Sequence, residues 1–187
     1  DYFDVYTAIA VSPENGIGGV NTIRDTKFGT TFTNDVGLLG EYDEIFAYVM
    51  KIPSVNESNL SQSLIVITPN TTDYGGITQM WEDGSAIAFC PLSGDNYPYD
   101  ARGIVQHEAG GHGFGKLGDE YIYYNSFIDD CLCLGAFKWG KALGWYENLS
   151  LTGKMHEVPW SHLIFDDRYS DVVDIYEGGF MHARGVF

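Results

Sequence analysis

The sequence predicts an α/β chain of the α+β type, in which several apolar strands precede a helix that follows Asp100. Residues 63–68 are a continuous apolar run, which is typical of a strand buried on both faces. Two further apolar segments, 77–81 and 85–90, are separated by an acidic turn that ends in Gly84, and this pattern predicts a hairpin. Asp100 can cap the helix that follows.

The other segments predict a less regular surround. Residues 5–11 have the composition of a first strand, and residues 16–40 are rich in Gly, Thr and Asn and are expected to be irregular. Residues 41–52 carry apolar side chains at helical spacing and end at Pro53, which predicts a helix. Residues 127–145 are apolar and predict a further helix.

The most informative stretch is His107-Glu108-Ala109-Gly110-Gly111-His112, which places two imidazoles and a carboxylate within six residues. Neutral imidazole is a favoured zinc ligand, and a carboxylate beside the metal can take a proton from water. The combination predicts a catalytic zinc site.

The spacing of the two histidines predicts a distorted helix. Side chains five residues apart are separated by about 500° of turn, which leaves them roughly 140° apart on a regular α-helix. A wide i→i+5 turn, a π-bulge, removes this difference and recurs at functional sites. Gly110 and Gly111 lie where the bulge is expected, and each costs about 1 kcal/mol of helix propensity. We interpret them as residues that allow the backbone to distort.

The residues after His112 offer a third ligand. Gly115 provides a place for the chain to leave the helix in a left-handed conformation. Asp119 and Glu120 then bring carboxylates back towards the histidines. Because a catalytic zinc takes three protein ligands and keeps one open position, we predict the two histidines and Asp119 as ligands, with Glu108 as the general base.

This pattern, H-E-x-x-x-H-x-x-G-x-L-x-D-E-Y, resembles the motif of the IgA-peptidase (igalysin) family of bacterial zinc metallopeptidases, which are metzincin-like zincins. Segments 176–179 and 184–187 are similar to that family's E-G-G and G-V-Y segments. The resemblance implies that residues 1–187 are a single catalytic domain with a zincin-like fold, in which a mixed, twisted sheet with an antiparallel edge strand backs the active-site helix. The lower subdomain that it implies is mostly irregular or helical and is truncated at its C-terminal end. It also implies an extracellular, cell-surface or periplasmic location. The matching residues are His107, Glu108, His112, Leu117, Asp119, Glu120 and Tyr121.

The sequence departs from the family pattern by one extra residue between Glu108 and His112. The same spacing serves zinc in the dipeptidyl-peptidase III family. The broader metzincin pattern places its third ligand at Gly118, one position before Asp119. The metzincin methionine beneath the metal has two candidates here, Met155 and Met181. Rival third ligands are Glu120, His156, His162 and His182.

Composition restricts the class of protein. A length of 187 residues with 44% hydrophobic content suits one domain with a substantial core. A formal charge of −16 argues against nucleic acid and anionic membranes as partners. No apolar run approaches the ~20 residues of a membrane span.

Three cysteines, Cys90, Cys131 and Cys133, allow at most one bridge. Buried free thiols are the expected state, with a bridge from Cys90 as the alternative. The C-x-x-C spacing of a cysteine zinc site is absent. Trp139 and Trp145 are expected in the core.

Two acidic pairs, 129–130 and 166–167, have the oxygen ligands that calcium prefers. Solvated carboxylates are the simpler interpretation in so acidic a chain. Zinc is therefore the principal predicted cofactor, and calcium is a secondary one.

The predicted function is that of a zinc-dependent endopeptidase. Zinc would activate water for attack on a peptide carbonyl, and Glu108 would take the proton and pass it to the leaving amine. An extended polypeptide substrate can add to the edge strand predicted at 77–81. Candidates to stabilise the oxyanion are Tyr121, Tyr169, Tyr176 and His182.

The alternative is a noncatalytic secreted domain that binds a glycan or a protein and carries a structural or vestigial metal site. An aromatic content of 15% together with many acidic residues suits sugar binding. A hydrolase that acts on a nonpeptide amide is a third interpretation.

Overall fold

The computed structural model describes residues 3–33, 37–130 and 132–187. Several small sheets and few helices make it an α+β structure, so the predicted class is confirmed at this level. The chain divides into two compact units, Asp1–Phe114 and Gly115–Phe187. No helix among the described residues is long and apolar enough to cross a membrane.

Among its described residues, the first unit holds five strands, two α-helices, a π-helix and a short 3₁₀-helix (Leu60–Gln62). Its helices are α1 (Tyr42–Val49), α2 (Ala101–Ile104) and the π-helix (Val105–Phe114). The strands are β1 (Thr31–Phe32), β2 (Leu38–Leu39), β3 (Leu64–Ile67), β4 (Ile77–Met80) and β5 (Ala86–Phe89).

The central sheet has the order β3-β5-β4. Strand β3 pairs with β5 in parallel, and β4 pairs with β5 in antiparallel orientation. The predicted hairpin forms between β4 and β5, and its turn contains Gly84 with a φ of 97°, a conformation that glycine adopts without steric cost. The predicted mixed sheet with an antiparallel edge strand is therefore present.

The predicted burial of the strand at 63–68 on both faces is wrong. Ile65 is buried, whereas Leu64 and Val66 are exposed. Leu64 and Val66 point to the opposite face of the sheet from Ile65, and at β3, which forms one edge of the sheet, that face is only partly covered. All four residues of β5 are buried, so the fully buried strand is the third of the sheet along the chain.

The helix predicted at 41–52 is confirmed, with a shorter extent. Helix α1 ends at Val49, and the next residues form i→i+3 turns up to Ile52. The residue before a proline disfavours the α conformation, which explains the change of geometry before Pro53. Ile45 buries its side chain in the main core of this unit, which comprises Phe28, Leu38, Ile45, Ile65, Ile87 and Phe89.

The strand predicted at 5–11 is wrong. Among the described residues no strand pairs with this segment, and Val5, Ile9 and Val11 are each about four-fifths exposed. An apolar run becomes a strand only where its backbone finds a ladder partner. The described residues of the segment 16–40 are largely irregular as predicted, apart from the short pair β1–β2.

The second unit contains two strands, β6 (Ile122–Phe127) and β7 (Met181–Arg184), which pair in parallel with two register shifts. Its helices are α3 (Cys133–Ala142) and α4 (Ser161–Ile164). The core includes Ile128, Phe137, Leu149 and Val186.

The helix predicted at 127–145 is confirmed only for residues 133–142. Trp145 is buried as predicted, but Trp139 is 49% exposed, so its assignment to the core is wrong. The two indoles meet edge to face at 5.5 Å between ring centroids. Trp139 therefore shields its buried neighbour from the surface side.

Gly103 in α2 is a position where a side chain does not fit. An added Cβ would lie 1.8 Å from the carbonyl oxygen of Pro98, a contact that only a backbone shift can relieve. We expect Gly103→Ala to lower the free energy of unfolding by about 3 kcal/mol, the upper end of typical overpacking costs. Urea denaturation measures this change.

The matched control is Gly135→Ala in α3, where an added Cβ meets nothing within 4 Å. Because alanine is the better helix former, this variant should gain about 0.5–1 kcal/mol of stability. A Gly103→Ala protein as stable as the wild type would show that the contact with Pro98 relaxes freely.

Candidate metal centre

The helix that carries the motif begins at a side-chain cap. The Oδ1 atom of Asp100 accepts a hydrogen bond of 3.0 Å from the backbone N–H of Gly103, as the sequence predicted. This bond, with further help from Arg102, holds the pKa of the Asp100 carboxyl below its ordinary value. The cap thus sets where α2 begins, and α2 continues directly into the π-helix.

The predicted π-bulge is present and extends further than expected. All ten residues of Val105–Phe114 are in π-helical geometry, whereas the sequence predicted a single wide turn. An i→i+5 hydrogen-bond pattern brings residues five apart onto one face. His107 and His112 meet there, with 3.1 Å between their Nε2 atoms and 4.6 Å between their ring centroids.

Gly110 and Gly111, two of the three glycines in this helix, are not required by lack of space. An added Cβ at Gly110 or Gly111 would meet only backbone oxygens at 3.9 or 3.7 Å, which are ordinary contacts. Their contribution is therefore to the backbone, since glycine weakens regular α-helix. The chain leaves the helix after Phe114. The left-handed conformation that the sequence predicted at Gly115 is found one residue later, at Lys116, whose φ is 52°.

The separation of the two imidazole nitrogens fits a shared zinc ion. For Zn–N bonds of about 2.0–2.1 Å in tetrahedral geometry, two ligand nitrogens lie roughly 3.3 Å apart. The observed 3.1 Å is close to that value. His107 is exposed and His112 is half-buried, so water and substrate can approach the pair.

Asp119 supplies the third ligand atom of the group. The ligand atoms of His107, His112 and Asp119 lie within 4.8 Å of one another, and this group can hold a metal ion. It is the one cluster of three or more histidine, cysteine or acidic side chains with that spacing in the described part of the chain. The donor set of two imidazoles and one carboxylate is typical of catalytic zinc.

Backbone and amide contacts within the second unit place Asp119. Its carbonyl oxygen accepts a hydrogen bond of 2.7 Å from the N–H of Phe180. The Asn148 side chain spans the preceding residue, accepting from the N–H of Gly118 at 2.8 Å and donating to its carbonyl at 2.9 Å. Burial raises the pKa of Tyr146, and the neighbouring charge of Asp119 adds to that shift.

Glu108 is buried, and its side chain packs against strand β4. Only 8% of the residue is exposed. Its Oε2 atom accepts a hydrogen bond of 2.9 Å from the hydroxyl of Thr78, and the same hydroxyl lies 2.8 Å from the Glu108 carbonyl oxygen. A Cβ at Gly76 would approach Oε1 to 2.8 Å. The carboxylate is therefore held in a defined position.

A small apolar cluster packs between the π-helix and strand β5. Cys90 and Ala109 belong to one buried cluster, together with Ala88 and Ile104. Burial raises the pKa of the Cys90 thiol to about 12, and the charge of Glu108 contributes. The neutral thiol thus behaves as a small apolar group.

The cysteine predictions need two corrections. Cys90 is a free thiol, so the alternative of a bridge from Cys90 is wrong. Cys133 is disulfide-bonded, so the expectation that all three thiols are free is also wrong. Its neighbour Cys131 lies outside the described residues. Sequence spacing could not separate these states, because only the fold shows that Cys90 is enclosed by aliphatic neighbours.

The rival ligands make other contacts. Glu120 accepts a hydrogen bond of 2.8 Å from Asn148, and His156 stacks on Phe165 at 4.8 Å. His162 is exposed on α4. His182 is buried in β7, with its Nδ1 atom 3.1 Å from the Ser126 hydroxyl.

The tyrosine candidates for oxyanion stabilisation pack against neighbouring side chains or are exposed. The two methionine candidates differ in backbone conformation. Tyr121 pairs with Tyr123 at 4.9 Å between centroids, and Tyr176 is 74% exposed. Tyr169 lies beneath the guanidinium of Arg168. Met155 is exposed. Met181 and the preceding residue, Phe180, both have positive φ, a tight turn that the sequence did not indicate.

The acidic pairs considered for calcium form no ligand group in the described residues. Asp166 is bound by Arg168 through several short hydrogen bonds, one of 2.6 Å. This ion pair and the Arg168 backbone N–H lower the pKa of the Asp166 carboxyl. The side chain of Asp130 lies outside the described residues.

Sequence reasoning missed the residues that hold Glu108 and Asp119. Thr78 and Gly76 are 30 or more positions from Glu108, and Asn148 is 30 from the loop that it braces. No local pattern connects such positions, since their contacts depend on strand register.

No model of a known protein family matches the chain, and no curated protein matches it significantly. The function is therefore argued from the geometry of the site.

Proposed function

We propose that this chain is a zinc-dependent endopeptidase whose catalytic domain spans residues 1–187 and resembles the IgA-peptidase family. The observation that carries the proposal is the π-helix, which brings the Nε2 atoms of His107 and His112 to 3.1 Å. The same helix carries the buried glutamate that follows His107 in the sequence, Glu108. Two imidazoles five residues apart do not converge on a regular α-helix. The π-helix therefore supports a ligand shared by the two imidazoles, since helix stability alone does not require this geometry.

Zinc is the metal that the donor set favours. His107, His112 and Asp119 would hold it, since calcium and magnesium prefer ligand sets made of oxygen. Zinc bound there would act as a Lewis acid that activates water and polarises the scissile carbonyl. The exposure of His107 supports an open position on the solvent side.

Glu108 supplies the proton transfers. Its carboxylate takes a proton from the attacking water and delivers a proton to the nitrogen of the departing amine. The Thr78 hydroxyl donates a hydrogen bond to Oε2. This bond fixes the carboxylate, so it need not reorganise as the water approaches. A fixed donor and acceptor arrangement of this kind lowers the entropic cost of proton transfer.

Strand β4 offers a surface for an extended polypeptide. It forms one edge of the central sheet, and no described strand pairs with its outer side. A peptide can add to such an edge through main-chain hydrogen bonds. The edge also adjoins the catalytic glutamate, because Thr78 belongs to β4 and contacts Glu108.

The disulfide-bonded state of Cys133 supports an extracytoplasmic location. Disulfides persist mainly in oxidising compartments, where secreted peptidases act. The formal charge of −16 further favours substrates that are not themselves strongly acidic.

Metal removal and a broad peptide probe test the proposal. Purified protein should contain about one zinc per chain, as expected for a single site with three protein ligands. It should cleave peptides of a proteome-derived library read by mass spectrometry. Treatment with 1,10-phenanthroline should abolish cleavage, and added Zn²⁺ should restore it.

A zinc-free protein that cleaves nothing would contradict the proposal and favour a noncatalytic binding domain. Cleavage that survives complete removal of metal would favour a different hydrolytic mechanism. Nickel-free purification is the necessary control, because histidine pairs also bind Ni²⁺.

A further inference from the structure

The face of β4 that meets the π-helix carries two residues with complementary roles. Gly76 immediately precedes the strand and Thr78 lies within it. Residues two apart along an extended chain point to the same side. Both positions face Glu108, since the Thr78 hydroxyl bonds to it and a Cβ at Gly76 would strike it.

The Thr78 hydroxyl has one proton and two acceptors on the same residue. Its Oγ1 atom lies 2.9 Å from Oε2 of Glu108 and 2.8 Å from the Glu108 carbonyl oxygen. The threonine thus links the carboxylate to the backbone of the residue that carries it. A β-branched side chain has few rotamers, so the hydroxyl is a rigid anchor.

Gly76 leaves the volume in which the glutamate side chain lies. An added Cβ would be 2.8 Å from Oε1, 2.9 Å from Cγ and 3.2 Å from Cδ. Such a Cβ would press on the whole length of the side chain and force it to move. The φ of Gly76 is not in the left-handed region, so this space and not backbone conformation explains the glycine.

We propose that Thr78 is a positioning residue for Glu108 and that glycine at position 76 is required by the placement of that carboxylate. This inference rests on the proposed peptidase function. Thr78 acts through Glu108 and does not itself exchange a proton with substrate. A displacement of about 1 Å in a catalytic group can cost on the order of 100-fold in rate, which sets the size of the expected effects.

Three variants test the role of the hydroxyl and of the free volume. Thr78→Val keeps the shape of threonine and removes the hydroxyl, Thr78→Ser keeps the hydroxyl, and Gly76→Ala adds the obstructing methyl. Gly94→Ala is the matched control, because a Cβ there meets nothing within 4 Å. The probe is a fluorogenic form of the library peptide that the wild type cleaves fastest.

We expect Thr78→Val and Gly76→Ala to lower kcat by about 10- to 100-fold, with KM and zinc content unchanged. Thr78→Ser should retain kcat within about threefold of the wild type, and Gly94→Ala should equal it. Thermal unfolding of each variant separates loss of fold from loss of positioning. A merely structural threonine would change the unfolding temperature without this split between kcat and KM.

Two results would overturn the inference itself, and a third would overturn the function on which it rests. Thr78→Val with wild-type kcat would exclude the hydroxyl as an anchor. Thr78→Ser as impaired as Thr78→Val would assign the effect to the methyl group. A wild-type protein that binds zinc but cleaves no peptide would instead overturn the proposed function, and the role of Thr78 with it.

Discussion

Replacement of Glu108 by glutamine is expected to abolish measurable peptide cleavage while leaving the zinc content near that of the wild type. The amide has nearly the same shape and its oxygen can still accept the Thr78 hydrogen bond seen at 2.9 Å, but it cannot take a proton from water. General acid–base groups contribute about 10²- to 10⁴-fold, so kcat should fall by at least about 100-fold. Steady-state kinetics and zinc analysis on the same preparation measure both quantities.

Glu57→Gln is the matched control for this experiment. Glu57 is exposed, and its substitution removes the same unit of charge without touching the π-helix. Its kinetics should equal those of the wild type. Full cleavage by the Glu108→Gln protein would remove Glu108 from its assigned role.

Replacement of His112 by alanine is expected to weaken zinc binding by more than about 100-fold. Changes to outer-shell partners of a metal ligand already cost about 10- to 100-fold, and loss of the ligand itself must cost more. The remaining imidazole of His107 and one carboxylate make an incomplete site for catalytic zinc. Competition with a chromophoric chelator measures the affinity, and cleavage should disappear at limiting zinc.

His156→Ala provides the comparison that isolates the site. His156 is exposed and stacks on Phe165, so its removal deletes an imidazole remote from the paired nitrogens in the sequence. Zinc affinity should stay unchanged. Equal affinities of the His112→Ala and wild-type proteins would show that zinc binds elsewhere.

The sequence predicted those parts of the fold that depend on short-range patterns. The apolar segments at 64–67, 77–80 and 86–89 form strands of one sheet. Asp100 caps the helix that leads into the motif, by accepting a hydrogen bond from the N–H of Gly103. Such features arise from residues close together in the chain. The five-residue spacing of the histidines likewise predicted i→i+5 geometry, since no regular α-helix aligns them.

The parts that failed depend on distant residues. Residues 5–11 lack a pairing partner among the described strands, and the exposure of Trp139 depends on what packs against α3. The π-helix extends over ten residues although the sequence signalled only one wide turn. The helix also packs closely on β3, where a Cβ at Gly113 would lie 2.5 Å from the Leu64 side chain, a contact that the sequence does not indicate.

The residues around Glu108 show the same limit. The glutamate itself was predicted from its place beside His107, but its anchors on β4 were not, because their contact requires the register of a strand 30 residues away. Only the fold reveals that Thr78 and Gly76 both face one carboxylate.

Anomalous diffraction at the zinc absorption edge tests the central claim most directly. Crystals grown with Zn²⁺ should show one strong peak about 2.0–2.1 Å from the Nε2 atoms of both His107 and His112, with the Asp119 carboxylate as the third protein ligand. Rings that point apart, with no peak between them in zinc-soaked crystals, would contradict the account.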